Sequence, residues 1–224
     1  MSIKSLPMNA RPREKLLLQG APSLADAELL ALLLRTGVKG MGVLQLAESL
    51  LQRFGGFSGL LHARLGELRG VHGIGPAKRA ELAAVVEIAR RALTEQLAAA
   101  PVLNSKEALH QFARMVLGRH GQEAFMVLFL DVQMRLLKHE EMFRGTLGHV
   151  TVYPREIVRR ALSLNAAAVV LAHNHPHGLC QPSRADELIT QAIQTALALV
   201  DVRVVDHLVV GQDEVASFMD MGLL

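Results

Sequence analysis

The sequence predicts an α+β protein in two parts, a helical domain over residues 1–95 and a mixed sheet flanked by helices over residues 102–224. The N-terminal part carries apolar helical runs that are separated by glycine-rich breaks. The C-terminal part carries two uniformly apolar runs, 125–130 and 166–172, of the length and character of buried strands. Charge divides in the same way: residues 1–100 hold 13 Lys and Arg against 8 Asp and Glu, whereas residues 101–224 hold 11 against 13. A basic half followed by an acidic half indicates separate tasks.

Composition excludes several classes of protein. No apolar run approaches the roughly 18 residues that a membrane-spanning helix needs, and the first residues lack the apolar segment of a signal peptide. The single cysteine, Cys180, excludes an intrachain disulfide and fits a reducing cytoplasm, which is the predicted location. The chain has no Trp and one Tyr, so stacking of aromatic side chains on bases is not a plausible main binding mode.

Four helices are predicted before residue 66. A short helix falls within residues 1–22, and the next begins after Ser23, the predicted N-cap, with Asp26 three residues later. A helix over residues 43–54 stops at two glycines, and a short helix is predicted over residues 59–65.

A glycine-rich turn precedes the longest predicted helix. Gly73-Ile-Gly75 predicts a tight apolar turn, and Pro76 suits the first helical turn that follows. The stretch resembles a helix-hairpin-helix motif, Gly-h-Gly-x-x-x-Ala, although Arg79 stands where the motif has Ala. That resemblance implies non-sequence-specific contacts with the DNA backbone by Gly73, Gly75, Lys78 and Arg79. The alternative is an ordinary turn whose glycines serve only packing.

The C-terminal part alternates strands and helices after a predicted linker over residues 94–104. Ser105 is predicted to cap the first of its helices. The predicted elements are a helix 105–117, strands 125–130, 136–143 and 145–152, a helix 154–162, a strand from 166, a helix 184–199 and a closing strand 202–210.

Two histidines end the second apolar run. If the strand continues through His175, then His173 and His175 point to the same face and form a bidentate site for a divalent metal. Asp186 follows after a loop that contains Pro and Gly, and two His with one carboxylate leave a position open on a tetrahedral zinc. The alternatives are a surface His pair and a purely structural Ser183-x-x-Asp186 capping box, and the capping box is compatible with metal binding.

A metal hydrolase needs a general base beside the metal. Glu123, two residues before the predicted strand 125–130, is the candidate. Glu140, Glu141 and Glu156 compete for the role, and a solvated loop carboxylate is the alternative. Ser183 is predicted either to donate a hydrogen bond to an oxyanion or only to cap the helix.

Four further residues have structural interpretations. His177 and Cys180 are interpreted as loop residues, and nothing near Cys180 marks it as a nucleophile. Asp206-His207 lies within the closing strand, as a structural pair or as a pair that orients the metal site.

The spacing His-x-His-Pro followed by Ser-x-x-Asp resembles the JAMM (MPN+) metalloprotease signature, and the whole chain is similar to the RadC family. The matching stretches are Leu33-Leu-Arg-Thr-Gly37, Gly73-Ile-Gly-Pro-Ala-Lys78, Gly145-Thr-Leu147, Pro154-Arg-Glu156, His173-Asn-His-Pro176, Pro182-Ser183, Asp186 and Asp206-His207. The resemblance implies a helix-hairpin-helix domain joined to a JAMM/MPN domain with a cytidine-deaminase-like sheet. It also implies zinc bound by His173, His175 and Asp186, with Glu123 as the general base. His177 is a departure, because many relatives have Ser and Gly at this point.

The function expected from this resemblance is zinc-dependent hydrolysis of a peptide or isopeptide bond, in which Ser183 steadies the oxyanion. One alternative is a DNA-binding accessory protein of recombination or repair whose metal site is structural or vestigial, and the intact His, His and Asp set argues against it. A second alternative is a metal-dependent nuclease. The low aromatic content and the acidic C-terminal half argue against a nuclease.

Overall fold

The computed structural model describes residues 7–63, 66–118, 121–145, 151–176, 180–211 and 214–224. Two compact units, Met1–Ile88 and Ala89–Leu224, account for the chain. The first unit is helical, and the second contains a five-stranded mixed sheet flanked by helices, so the predicted α+β class is confirmed. The domain limits at residues 95 and 102 stay a prediction.

Short helices build the first unit. They are α1 (Pro12–Gln19), α2 (Asp26–Leu34), α3 (Val43–Phe54), α4 (Phe57–His62) and the beginning of α5 (Pro76–Ala99), with 3-10 turns at Met8–Ala10, Ala21–Ser23 and Glu67–Gly70. The bounds of α3 are those predicted, and Gly55 ends it in the left-handed conformation. Leu30, Leu34, Leu46 and Leu50 belong to the apolar core of this unit.

The predicted N-cap of α2 is wrong. Ser23 belongs to a 3-10 turn, where its hydroxyl donates to the carbonyl of Gly20 at 2.7 Å. The helix begins at Asp26, and the carboxylate of Glu28 accepts the N–H of Ala25 at 2.8 Å. Glu28 therefore satisfies a backbone N–H at the beginning of the helix. The sequence predicts this capping role for Ser23.

A glycine is required at the turn before α5. Gly73 has a φ of +85°, and a Cβ there would lie 3.0 Å from Leu46 Cδ1 and 3.1 Å from Val38 Cγ1. Helix α5 then begins at Pro76, as predicted, because proline suits a position whose N–H has no helical partner.

The predicted linker is wrong over its first part, because α5 continues as one helix to Ala99. Leu97 is buried in the core of the second unit, and the surrounding Leu and Ala residues favour a helix. A 3-10 turn, Val102–Ser105, leads into α6 (Lys106–Leu117). Ser105 occupies the N-cap position, but its side chain makes no capping hydrogen bond and instead accepts one from Gln96 Nε2.

The sheet of the second unit has the strand order β2-β1-β3-β4-β5. Its strands are β1 (Ala124–Leu130), β2 (Leu136–Arg144), β3 (Ala168–Asn174), β4 (Arg203–Val210) and β5 (Val215–Ser217). Strands β3 and β4 are parallel and are connected by α8 (Arg184–Ala198), while the other neighbours are antiparallel. The inner strands β1 and β3 are buried at every position.

Helices cover both faces of this sheet, which explains why β1 and β3 are apolar over most of their length rather than alternating. Met126 and Leu128 pack with α6 on one face. On the other face, Val127 and Leu171 pack with α8 and with α7 (Pro154–Ser163). Alternate residues of a strand face opposite ways, so the odd-numbered residues of β3 look toward α7 and α8.

Two strands differ from the predicted set. The strand predicted over residues 145–152 falls mostly on residues 146–150, outside the described residues, and Thr151 and Val152 do not belong to a strand. Strand β5 is absent from the prediction, since three residues are too few to show an alternating pattern.

Across the described ranges, no helix combines the length and apolar character needed to cross a membrane.

Candidate metal centre

The end of β3 positions the two predicted histidine ligands. His173 is the penultimate residue of β3 and is 3% exposed. The strand ends at Asn174, one residue before the predicted end, yet the N–H of His175 still donates to the carbonyl of Val210 in β4. This bond keeps His175 in line with the strand, and the two imidazole rings lie with their centroids 4.8 Å apart.

The first turn of α8 supplies the carboxylate. Ser183 is the N-cap, and its hydroxyl accepts the N–H of Asp186 at 3.2 Å. The Oδ2 atom of Asp186 accepts the N–H of Ser183 at 2.7 Å and its hydroxyl at 2.6 Å. The capping box thus holds the carboxylate of Asp186 in place, with its Oδ1 atom beside the histidines.

The three side chains meet with their ligand atoms facing one another. His173 Nε2 lies 3.0 Å from His175 Nε2 and 3.1 Å from Asp186 Oδ1, and His175 Nε2 lies 3.4 Å from Asp186 Oδ2. Ligand atoms bonded at about 2.0–2.1 Å around a tetrahedral zinc are about 3.3 Å apart. Both the separations and the donor types of this group therefore fit zinc.

Electrostatics keep the carboxylate ionised. Burial alone would raise the pKa of Asp186, but the neighbouring imidazoles of His173 and His175 outweigh burial and hold this pKa well below its ordinary value. A negative oxygen facing two imidazoles is a donor set that suits a divalent cation.

Asp206 and His207, predicted as a pair, are joined by a hydrogen bond of 2.7 Å from the N–H of His207 to Asp206 Oδ1, but their side chains otherwise contact different groups. His207 is fully buried, and its Nε2 atom lies 2.8 Å from His173 Nδ1. Burial lowers the pKa of His207 well below its ordinary value, and the neighbouring His173 acts in the same direction. The carboxylate of Asp206 also accepts from the hydroxyl of Ser217 and from the backbone N–H of Met219, so it holds the region around β5.

Glu123, the predicted general base, lies directly before β1. Phe125 pairs with His173 across the sheet, and the register continued to residue 123 sets Glu123 opposite His175. The side chain of Asn174 holds the backbone on both sides of Glu123. It accepts the N–H of Ala124 at 2.8 Å and donates to the carbonyl of Gln122 at 3.2 Å.

The competing carboxylates are each held in an ion pair. Glu140 pairs with Arg160, whose hydrogen bond lowers the pKa of Glu140 to about 2. Glu141 pairs with Arg144 at 2.7 Å, and Glu156 pairs with Arg159 at 2.7 Å. Each of the three competing carboxylates therefore has a guanidinium partner.

The remaining predicted residues are placed elsewhere. His177 lies outside the described residues. The thiol of Cys180 donates to the carbonyl of Val209, and burial raises its pKa, which opposes a nucleophilic role. Gly73, Gly75, Lys78 and Arg79, the predicted DNA contacts, belong to the first unit.

Two polar residues near the site escape prediction from the sequence. Thr190 contacts His207, and it lies four residues after Asp186 on α8, a helical spacing that could have found it. Asn174 is visible in the sequence only as part of the histidine motif. The bonds from Asn174 to the residues around Glu123 join positions 50 and 52 residues apart, for which the sequence carries no local signal.

A mixed sheet that ends in His-x-His on an inner strand, with Asp in the first turn of the next helix, defines a JAB-domain protein. Comparison with known families agrees: the RadC-like JAB domain matches residues 103–223, and the UPF0758 N-terminal region matches residues 3–80. The chain belongs to the RadC family, whose members include proteins named UPF0758.

Relatives match along their whole length. A UPF0758 protein of Methylibium petroleiphilum is 62% identical over 222 residues, which cover 99% of this chain and 100% of the relative. A UPF0758 protein of Leptothrix cholodnii is 60% identical with the same coverage, and one of Polaromonas sp. is 55% identical over 100% of both chains. The similarity to these relatives therefore extends through both units of this chain.

Proposed function

We propose that this protein is a zinc-dependent hydrolase that cleaves a peptide or isopeptide bond. The main observation behind this proposal is the group of His173, His175 and Asp186. Three protein ligands would leave one coordination position of a tetrahedral zinc open. When bound, zinc would polarise a carbonyl and lower the pKa of water at the site. The JAB class, which includes hydrolases, supports this interpretation of the group.

Glu123 would move the proton in this reaction. Its place opposite His175, together with the hydrogen bonds of Asn174 to both neighbouring residues, supports a fixed carboxylate beside the metal. Such a carboxylate would accept a proton from water and return it to the leaving amine.

Ser183 would serve twice. Its hydroxyl donates to Asp186 Oδ2, so it lies one carboxylate oxygen away from the ligand group. After a rotation about the Cα–Cβ bond, the same hydroxyl would donate to the oxyanion that forms on the attacked carbonyl. The bond from the N–H of Ser183 to Asp186 Oδ2 would keep Ser183 in place during that rotation.

The test uses the full chain loaded with zinc, with fluorogenic peptides of varied sequence and with peptides joined through a lysine ε-amine. Turnover should disappear on chelation and return with zinc, and Glu123→Gln should lose about 10²–10⁴-fold in rate while it keeps zinc. Glu141→Gln is the matched control and should keep its rate. Failure to cleave either bond class would refute the proposed activity, and full turnover in Glu123→Gln would refute the general base.

A second candidate function is non-specific binding to the DNA backbone by the first unit. The observation that favours it is Arg79, whose Nε atom is buried without a hydrogen-bond partner in the described part of the chain. The ammonium of Lys78 instead donates to the carbonyls of Thr36 and Gly73, at 2.6 and 3.2 Å, and secures the turn. If the Arg79 side chain rotated toward the beginning of α5, a phosphate bound there would give its guanidinium a partner.

Binding of the full chain to labelled duplexes of unrelated sequence tests this candidate. Affinity should be equal for all duplexes and fall steeply between about 50 and 200 mM salt. Arg79→Gln should weaken binding, whereas Arg155→Gln, the same change of charge at an exposed residue of the second unit, should not. Binding that ignores salt, or equal loss in both variants, would reject Arg79 as a contact, and cleavage of the duplexes would point to a nuclease.

A further inference from the structure

A chain of three hydrogen bonds leads away from the metal-facing side of His173. Its Nδ1 atom lies 2.8 Å from His207 Nε2, and His207 Nδ1 lies 2.6 Å from the hydroxyl of Thr190. That hydroxyl lies 2.5 Å from the backbone carbonyl of Asp186. His173, His207 and Thr190 are each at most 3% exposed, so all three side chains are shielded from water.

The direction of each bond follows from the last acceptor. A carbonyl only accepts, so Thr190 must donate its single hydroxyl proton to Asp186. The hydroxyl oxygen then accepts from His207, which means that the proton of His207 is on Nδ1.

The remaining nitrogen of His207 decides the state of His173. His207 is packed between the rings of Phe125 and Phe218 and is fully buried, an environment that favours the uncharged ring. Its Nε2 atom is therefore a bare acceptor, and His173 must donate from Nδ1. The lone pair of His173 is left on Nε2, the atom that faces His175 and Asp186.

We propose that His207 and Thr190 are positioning residues that fix the tautomer and the ring orientation of His173 for metal binding. The inference rests on the proposed zinc site. Metal-binding histidines usually donate their second N–H to a carboxylate, a backbone carbonyl or water. Here the acceptor is the imidazole of His207, which has two tautomers of its own. Thr190 is required because it selects the tautomer of His207 whose Nε2 atom can accept.

The geometry also links two ligands through one path. The carbonyl that orders the chain belongs to Asp186, whose side chain faces His173 from the other direction. Both ring nitrogens of His173 thereby face Asp186: Nδ1 through the hydrogen-bond chain to its backbone carbonyl, and Nε2 across the proposed metal position from its carboxylate, at 3.1 Å from Oδ1. Removal of the Thr190 hydroxyl would break this loop without touching a metal ligand.

The experiment compares Thr190→Val with Thr190→Ser in the full chain. Valine has the shape of threonine without the hydroxyl, while serine keeps the hydroxyl. Zinc affinity is measured by competition with a chromophoric chelator, and Co²⁺ absorption reports the geometry of the ligands. Thr190→Val should bind zinc about 10–100-fold more weakly with an altered Co²⁺ spectrum. Thr190→Ser should stay close to the parent.

Thr195→Val is the matched control on the same helix. The Thr195 hydroxyl makes the same type of bond, to the carbonyl of Gln191 at 2.8 Å, but it is exposed and has no hydrogen bond to a histidine among the described residues. This variant loses an equivalent helix bond and should keep the affinity of the parent. Circular dichroism checks that all three variants are folded.

A second readout follows the tautomer itself. Imidazole ¹⁵N chemical shifts of the metal-free parent should show His173 protonated at Nδ1, and Thr190→Val should show a mixture of tautomers. Unchanged zinc affinity and unchanged shifts in Thr190→Val would overturn the positioning role while leaving the zinc site intact. A parent that binds no zinc would overturn the zinc site and the positioning role together.

Discussion

The side-chain oxygen of Asn174 accepts a hydrogen bond of 2.8 Å from the backbone N–H of Ala124. Asn174 is the residue between the two histidines, and it is 1% exposed. Its amide nitrogen donates to the carbonyl of Gln122, so one side chain spans the backbone around Glu123. The histidine motif therefore carries its own attachment to the strand that presents the candidate base.

Replacing Asn174 by Ala should destabilise the protein and displace Glu123. The N–H of Ala124 would lose its partner in a buried place, which costs about 1–3 kcal/mol of the free energy of unfolding. Zinc binding should survive, because Asn174 supplies no ligand, whereas turnover on any cleaved substrate should fall. Urea unfolding, zinc content and kcat measure the three effects.

The control for this variant is Asn104→Ala, at an exposed position, with a change in stability within about 0.5 kcal/mol. If Asn174→Ala kept both the stability and the kcat of the parent, the bonds to Ala124 and Gln122 would contribute nothing to the site.

Local patterns predicted much of this architecture. Helix α3 and the beginning of α5 follow from apolar spacing with Gly and Pro at the ends, and strands β1 and β3 follow from uniformly apolar runs. Asp186 could be placed in the first turn of α8 because the capping box is a pattern of four consecutive residues. Each of these signals lies within a few residues of the feature that it predicts.

The parts that failed depend on tertiary contacts. Helix α5 continues past residue 94, where a linker is predicted to begin, because Leu97 is buried against a core assembled from distant strands. The bond from Ser217 to Asp206 depends on β5, which is too short to be recognised from a pattern. The partner of His207, Thr190, comes from another element, and sequence spacing does not show which histidine a threonine will meet.

Glu140→Gln should make stability less dependent on pH. The hydrogen bond from Arg160 lowers the pKa of Glu140 from 4.5 to about 2, so its stabilisation is present above pH 4.5 and is lost as the pH falls toward 2. The variant should be less stable than the parent at pH 7, and the difference should shrink between about pH 4.5 and 2. Urea unfolding at pH 7, 4 and 3 measures this, with Glu95→Gln, at an exposed position of α5, as the control. A constant difference across this range would exclude the ion pair as its source.

Gly73→Ala and Gly75→Ala should differ although they lie two residues apart. Gly73 has a φ of +85° and close neighbours in Leu46 and Val38, so a side chain should cost about 1–3 kcal/mol. At Gly75 a Cβ would point into open space among the described residues, and φ is not left-handed, so the change there should stay within about 0.5 kcal/mol. Thermal unfolding followed by far-ultraviolet circular dichroism compares the two. Equal effects would show that the turn tolerates a side chain at Gly73.

Asp186→Asn separates the two roles of the aspartate. As a cap, Asp186 needs only an oxygen that accepts the N–H of Ser183, which the amide of asparagine also offers. As a ligand, it needs the negative charge that faces His173 and His175. The parent should hold about one zinc per chain after dialysis, and Asp186→Asn should lose most of it while α8 stays folded.

Metal analysis by mass spectrometry and circular dichroism, on the same samples, give the two readouts for Asp186→Asn. Glu187→Gln removes the same charge at the next residue, whose carboxylate pairs with Arg184, and this variant should keep its zinc. Loss of zinc in both variants would indicate a general effect of charge on the first turn of α8. Tight zinc binding in Asp186→Asn would show that the carboxylate of Asp186 is not a zinc ligand. Capping of α8, which the asparagine amide preserves, would then be the role of Asp186.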